Sequence, residues 1–173
     1  INAAYLAGHP GTFRERVDAL ANLWANLSIE DVFRVDLLCL ARNVARWSIR
    51  LLSGGSRRAP HARSLVDTQP LRALLARVLD VENGILTGID RNIAGGALKA
   101  VALTASSYAT GRSVTWVRGC EIESWERPDR RSINGPFTVE HVMASAALPL
   151  VFPAVKVDGT WYGDGGVRLA APL

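Results

Sequence analysis

Apolar side chains recur every three or four residues in several stretches of the chain, a pattern typical of helices that bury one face. Thr12 and Glu15 have the spacing of a capping box, in which each side chain accepts a backbone N–H at a helix start. The helix that follows is predicted to bury one face, which consists of Phe13, Val17, Leu20, Trp24 and Leu27.

A second amphipathic helix is predicted to start near residue 68. Asp67 or Thr68 serves as its cap, and Pro70 lies in its first turn, where no intrahelical N–H is required. The apolar stripe of this helix continues to Asp80. It contains Leu71, Leu74, Leu75, Val78 and Leu79.

The middle of the chain combines a short helix with β-type runs. Asp90 to Ala94 is predicted to form a helical turn that stops at a pair of glycines. Leu98 to Thr104 is a continuous apolar run, which predicts a strand buried on both faces, and Ser113 to Val117 predicts a neighbouring strand. Glu121 to Pro136 is predicted to be a solvated, charged loop. Because helices alternate with strands, the sequence indicates the α/β fold class.

A basic helix is predicted between Asp36 and Leu52, with arginines on the face opposite its apolar stripe. Arg42, Arg46, Trp47 and Arg50 are its candidate membrane-facing residues, because such a helix can lie in a bilayer interface with its guanidinium groups near phosphate. The alternative is that the helix packs on its own domain and its arginines are solvated. Ser53 to Arg63 is predicted to be a basic loop.

The composition is that of a globular protein. The 173 residues are 49% hydrophobic and 21% charged, no apolar run reaches the length of a bilayer-spanning helix, and no signal peptide opens the sequence. Cys39 and Cys120 do not suggest a disulfide framework, so a cytoplasmic location is predicted, with peripheral membrane contact as a further expectation. The net charge of +4 comes from 18 arginines against 2 lysines, which favours anionic partners or reflects genome composition.

The last third of the chain carries the strongest chemical signal. Thr138 is predicted to cap a helix that runs to Ala147. Val155 to Tyr162 then forms two short β-type runs around Asp158-Gly159, a pair that supplies the positive φ angles of a two-residue hairpin turn. Immediately after this hairpin comes Asp164, within the sequence Gly-Asp-Gly-Gly. Because its neighbours are glycines, which have no side chains, a substrate could approach this carboxylate closely.

The stretch ASAALPLVFPAVKVDGTWYGDGGV resembles the patatin-like phospholipase family, in which an A-S-x-A-x-P-x-x-F helix exit precedes a D-G-G motif. SLVDTQPLRALL and LTASSYATGRSVTW are also similar to segments of bacterial members, so the resemblance spans nearly the whole chain. It implies a three-layer α/β/α hydrolase fold that is incomplete at its N-terminus. Residues 1–173 would then be a single, partial domain.

The resemblance also implies hydrolysis of membrane lipids or other acyl esters by a Ser-Asp dyad, with no cofactor. Asp164 would be the catalytic base, Gly165 and Gly166 would complete the motif, and Pro149 with Phe152 would form the wall of the site. No G-x-S-x-G is present, and the opening INAAYLAG resembles what directly follows that elbow in the family. The nucleophilic serine is therefore expected outside this chain, and the chain alone is predicted to be inactive.

Other functions have less support. A triad of Ser145, His141 and Asp164 would place the nucleophile within a helix instead of on a sharp elbow. No metal-ligand cluster or phosphate-binding loop is present, and the Arg57-Arg58 cluster has no aromatic residue nearby, so nucleic acid is not an expected partner. The alternative function is a catalytically silent protein of the same fold that binds lipid surfaces through residues 36 to 63.

Overall fold

The computed structural model describes residues 1–33, 45, 66–149 and 151–167 of the chain. Within them the principal helices are α1 (Asn2–Gly8), α2 (Phe13–Ala25), α3 (Ile29–Val32), α4 (Gln69–Val78), α5 (Thr87–Ala94) and α6 (Val139–Ser145). The strands are β1 (Val81–Glu82), β2 (Ile85–Leu86), β3 (Ala100–Ser107), β4 (Ser113–Gly119), β5 (Glu126–Arg127), β6 (Arg130–Asn134), β7 (Val155–Val157) and β8 (Thr160–Asp164). A 3₁₀ turn, Gly165–Val167, follows β8 directly.

Six of these strands form one mixed sheet in the order β5-β6-β4-β3-β8-β7. β4 and β6 are parallel, and the other neighbouring strands are antiparallel. β3 therefore lies near the middle of the sheet, between β4 and β8. The predicted α/β fold class is confirmed, and the mixed sheet is consistent with a patatin-like hydrolase fold.

Helices pack against the sheet around an apolar core. α6 packs against β3, β7 and β8, whereas α1 packs against β3, α2 and α5. An ion pair between Arg72 and Glu140 joins α4 to α6. The largest fully buried side chains lie in this core: Phe137, Leu75, Ile89, Val114 and Val142. None of the described helices is both long and apolar enough to span a bilayer.

Local signals in the sequence correctly locate three element boundaries. The Thr12 N–H donates to Glu15 Oε2 at 2.7 Å, so the predicted capping box starts α2. The Gln69 N–H donates to Asp67 Oδ1 at 3.0 Å at the start of α4. Asp158 and Gly159 have φ angles of 46° and 81°, which give the hairpin turn between β7 and β8 the positive φ angles that were predicted.

The buried face predicted for α2 is only partly correct. Phe13, Val17 and Trp24 are 74%, 40% and 51% exposed, whereas the one buried residue of this helix is Arg16. The helix is rotated because the Arg16 side chain bonds to groups that lie on α1 and α5. Leu20 and Leu27 of the predicted face do pack against the core, together with Leu23, which was not predicted.

Two strand predictions also need correction. The segment from Glu121 to Pro136 contains β5 and β6 and is not a loop. Its strands escaped prediction because β5 has only two residues, both polar and exposed, and β6 has a single apolar residue, Ile133, so neither shows the apolar pattern of a strand. β3 is longer than predicted and alternates between buried and less buried residues, so it is not buried on both faces. The basic helix predicted over Asp36 to Leu52, with Arg42, Arg46, Trp47 and Arg50, lies outside the described residues, apart from Ala45, which is helical.

Candidate active site

Asp164 is the last residue of β8, where the strand leaves the sheet. It pairs with Ala105 of β3, and its N–H donates to the carbonyl oxygen of Ala147, just after α6, at 2.9 Å. The carboxylate oxygen Oδ1 accepts the Gly166 N–H at 2.8 Å. Oδ2 accepts no hydrogen bond from the described residues, so one oxygen of a partly buried carboxylate has its lone pairs available.

The glycine after Asp164 is required by close backbone packing. A Cβ added to Gly165 would lie 2.4 Å from the carbonyl oxygen of Thr104, well inside van der Waals contact. Thr104 precedes Ala105 on β3, so the D-G-G turn lies directly on the neighbouring strand. The second glycine, Gly166, supplies the N–H that orients the Asp164 carboxylate. The motif therefore fixes both the backbone and the carboxylate of Asp164.

The first residue of the chain lies near this carboxylate. The negative charge of the Asp164 carboxylate acts on the backbone nitrogen of Ile1. Ile1 is the N-cap residue of α1, and α1 packs against β3, the strand paired with Asp164. The N-terminal end of α1 and the D-G-G motif thus belong to one site.

An apolar cavity of about 100 Å³ opens beside the N-terminal end of α1. Ile1 and Tyr5 of α1 form one wall, and side chains of α2, α3 and α4 form the others. Those side chains are Leu20, Leu23, Trp24, Leu27, Val32, Leu71, Leu74, Leu75, Val78 and Leu79. Ile1 is the residue that links this cavity to Asp164, because it lines the cavity and the Asp164 charge acts on its backbone nitrogen.

A family model described as patatin-like phospholipase matches residues 1–173, the whole of the chain. The chain belongs to the patatin-like phospholipase family. No curated protein and no solved structure matches it. Membership in this family indicates lipid hydrolase activity, and the predicted resemblance is confirmed.

Of the other residues predicted for the site, Phe152 lies beside the exit of α6. Together with Ala147, whose carbonyl oxygen bonds to Asp164, it lines a small apolar pocket, and its ring centroid is 6.3 Å from that of Phe33. Pro149 lies in the turn between α6 and Phe152. The role of Pro149 and Phe152 as the wall of the phospholipase site remains a prediction.

The alternative triad is not assembled in this patatin-like phospholipase. The Ser145 Oγ donates to the Val142 carbonyl oxygen at 2.8 Å within α6. The His141 Nδ1 faces Thr138, whose N–H donates to it at 3.1 Å in a capping box. Ser145 and His141 are thus occupied by helix contacts, and neither is hydrogen-bonded to Asp164.

His141 is instead a buried structural residue. Its ring lies edge-on to Trp116, with 4.7 Å between centroids, and it also stacks on Phe137. Burial lowers the pKa of His141 from its ordinary value, although the negative charge of Asp158 acts in the opposite direction. The neutral imidazole is therefore favoured in the folded protein.

The described part of the chain holds no cluster of three potential metal ligands. Its one described cysteine, Cys120, is an exposed free thiol. The chemical groups associated with Ile1 are thus a carboxylate, the glycine-rich turn that holds it and an apolar cavity. Such a set can accept a proton and hold a hydrocarbon chain.

Proposed function

We propose that this patatin-like phospholipase hydrolyses acyl esters of lipids with a Ser-Asp dyad. Asp164 is the base, and the serine is supplied by a segment of the protein outside these 173 residues, next to Ile1. The observation that carries the proposal is the free Oδ2 of Asp164, held by a strand end and a Gly166 hydrogen bond and lying near Ile1. A carboxylate fixed in this way can accept a hydroxyl proton directly, without a histidine.

The proposed reaction has two halves. The serine hydroxyl gives its proton to Asp164 as its oxygen attacks the ester carbonyl carbon, and the resulting tetrahedral intermediate expels the alcohol, which takes the proton from Asp164. Water then gives a proton to Asp164 as it attacks the acyl-serine, and the serine regains that proton when the fatty acid leaves. The Gly166 N–H bond to Oδ1 keeps Oδ2 pointed in one direction through both halves.

The apolar cavity supports an acyl chain as the part of the substrate held next to the carboxylate. Its lining is aliphatic and aromatic, so it offers no polar partner for a head group. The cavity is smaller than the ~150 Å³ cavity that accommodates benzene in an engineered protein core. We therefore propose that it receives a short acyl group or the first part of a longer chain.

The test is the Asp164→Asn substitution in the full-length protein that contains this chain. It removes the base and retains the shape of the side chain, so hydrolysis of a soluble short-chain ester should fall by about 10²–10⁴-fold. Asp158→Asn is the matched control, because it makes the same chemical change in the same hairpin and asparagine tolerates a positive φ angle. Unchanged hydrolysis by the Asp164→Asn protein would contradict the proposal.

Labelling of the wild-type protein with a fluorophosphonate tests for the activated serine itself. A protein that hydrolyses esters by the dyad should be labelled, and the Asp164→Asn protein should be labelled much more slowly. A wild-type protein that is not labelled and does not hydrolyse esters, but floats with anionic vesicles, would instead match the silent lipid-binding function of residues 36 to 63.

A further inference from the structure

The C-terminal end of α1 is held by two side chains from other helices. Arg16 of α2 is 6% exposed and lies against this end. Its Nε donates to the Gly11 carbonyl oxygen at 2.9 Å and its Nη1 to the Leu6 carbonyl oxygen at 3.2 Å. Its Nη2 donates to Oδ1 of Asn92 on α5 at 3.2 Å. The whole guanidinium group is thus used to join α1, α2 and α5.

Asn92 continues the same network. Its Nδ2 donates to the carbonyl oxygens of Ala7 and His9 at 2.7 and 3.0 Å. Carbonyl groups in the last turn of a helix have no partner within the helix, and a positive charge at that end is favourable. Arg16 and Asn92 meet both needs, and Arg16 forms no ion pair with any carboxylate that the structure describes.

The backbone of α5 reinforces this contact. A Cβ added to Gly88 would lie 2.3 Å from the Gly8 carbonyl oxygen, so the two helices meet backbone to backbone. α1 has 7 residues, which corresponds to a length of about 10 Å. A rigid helix of this length carries the position of one end to the other, and α1 packs against β3, whose residue Ala105 pairs with Asp164.

We propose that Arg16 and Asn92 are positioning residues for the nucleophile of this enzyme. They hold the C-terminal end of α1, and through that helix they set where the residues preceding Ile1 lie relative to the Asp164 carboxylate. The inference rests on the proposed function, in which the serine comes from the segment next to Ile1. A displacement of about 1 Å in a reacting group can lower a rate by about a hundredfold, so a loose α1 would slow the reaction.

The test uses Asn92→Ala and Arg16→Lys in the full-length protein. Asn92→Ala removes both bonds to α1, and Arg16→Lys keeps the charge but loses the planar fork that reaches three acceptors. In both variants, kcat for a soluble ester and the rate of fluorophosphonate labelling should fall at least about tenfold, with KM little changed. The double variant should lose little more than either single variant, because both side chains act on one helix end.

Asn134→Ala is the matched control. Asn134 Nδ2 also donates to a backbone carbonyl oxygen, that of Ile122 at 3.0 Å, but it lies on β6, which β4 and β3 separate from β8 in the sheet. All proteins are assayed well below their unfolding temperatures, so that lost stability alone does not lower the rate. The control should keep the wild-type kcat and labelling rate.

Two results overturn different statements. If Asp164→Asn abolishes hydrolysis while both Asn92→Ala and Arg16→Lys keep the wild-type kcat and labelling rate, the dyad stands and the positioning role is wrong. If Asp164→Asn leaves hydrolysis intact, the proposed function itself fails. A lower unfolding temperature with an unchanged labelling rate assigns Arg16 and Asn92 to stability alone, which also contradicts the positioning role.

Discussion

The N–H of Asp164 donates to the carbonyl oxygen of Ala147 at 2.9 Å, which joins the D-G-G motif to the end of α6. Ala147 is buried, and it belongs to the helix exit that precedes the hairpin in the sequence. A shift of that exit would therefore move the backbone of Asp164. The helix exit and the D-G-G motif, which are separated along the chain, form one structural unit beside the carboxylate.

Gly165→Ala should damage this unit. The added Cβ would lie 2.4 Å from the Thr104 carbonyl oxygen, and a backbone group cannot move aside as a flexible side chain would. We expect a loss of about 1–3 kcal/mol in the free energy of unfolding, as for overpacked cores. Ester hydrolysis should fall at least about tenfold, because Asp164 is displaced. Chemical denaturation and steady-state kinetics measure the two effects.

Gly135→Ala is the control for this substitution. No atom lies within 4 Å of a Cβ added to Gly135, and its φ angle is not positive. The Gly135→Ala protein should therefore keep wild-type stability and hydrolysis. A Gly165→Ala protein with the same stability and rate as the control would show that β3 and the D-G-G turn are not in close contact.

Ser145→Ala separates the dyad from the alternative triad. The Ser145 Oγ donates to the Val142 carbonyl oxygen within α6 and is not hydrogen-bonded to Asp164. The variant should therefore retain fluorophosphonate labelling and ester hydrolysis in the full-length protein. Complete loss of labelling, with the protein still folded by circular dichroism, would instead identify Ser145 as the nucleophile.

Much of the site could be predicted from the sequence because its signals are local. The hairpin turn at Asp158-Gly159 depends on the positive φ angles of two adjacent residues. The capping box at Thr12 depends on residues three positions apart. The same holds for the D-G-G turn, where Gly166 bonds to Asp164. Each of these structures is specified by side chains within a few residues of one another.

The parts that could not be predicted depend on distant residues. Asn92, which holds Arg16, lies 76 positions further along the chain, and no spacing rule connects them. Because an arginine on a helix is usually solvated, the sequence did not indicate that Arg16 is buried. The apolar residues Phe13, Val17 and Trp24 were therefore predicted to face inward, although they are exposed. The strand β6 has one apolar residue, Ile133, so the sequence did not indicate its pairing with β4.

The free energy of unfolding should decrease as the pH is lowered, because His141 is buried in its neutral form. The pKa of this buried histidine is lowered in the folded state, so below about pH 6.5 the unfolded chain binds more protons than the folded protein. Above about pH 6.5 the histidine is neutral in both states, and its stabilising contribution is fully present. As the pH falls from there toward the lowered pKa of the folded state, this contribution is lost. For one such group the slope cannot exceed about 1.4 kcal/mol per pH unit.

His141→Gln isolates this contribution. Glutamine at the same position of a capping box can still bond to the N–H of Thr138, but it does not titrate. Urea unfolding at several pH values between 5 and 8 should show a smaller loss of stability on acidification for the variant than for the wild type. Parallel curves for the two proteins would show that His141 is not the responsible group.

Leu23→Trp tests whether the apolar cavity holds the acyl chain. Leu23 lines the cavity from α2, and a larger side chain there should fill space next to Tyr5 of α1. In the full-length protein, kcat/KM for long-chain esters should fall at least about tenfold relative to the acetate ester, since each excluded methylene is worth about 1–3 kcal/mol.

Val17→Trp is the matched control, because Val17 is on the same helix but does not line the cavity. A series of p-nitrophenyl esters measures the profile. If the Leu23→Trp profile coincides with that of the control while hydrolysis still requires Asp164, the acyl chain lies elsewhere along the site.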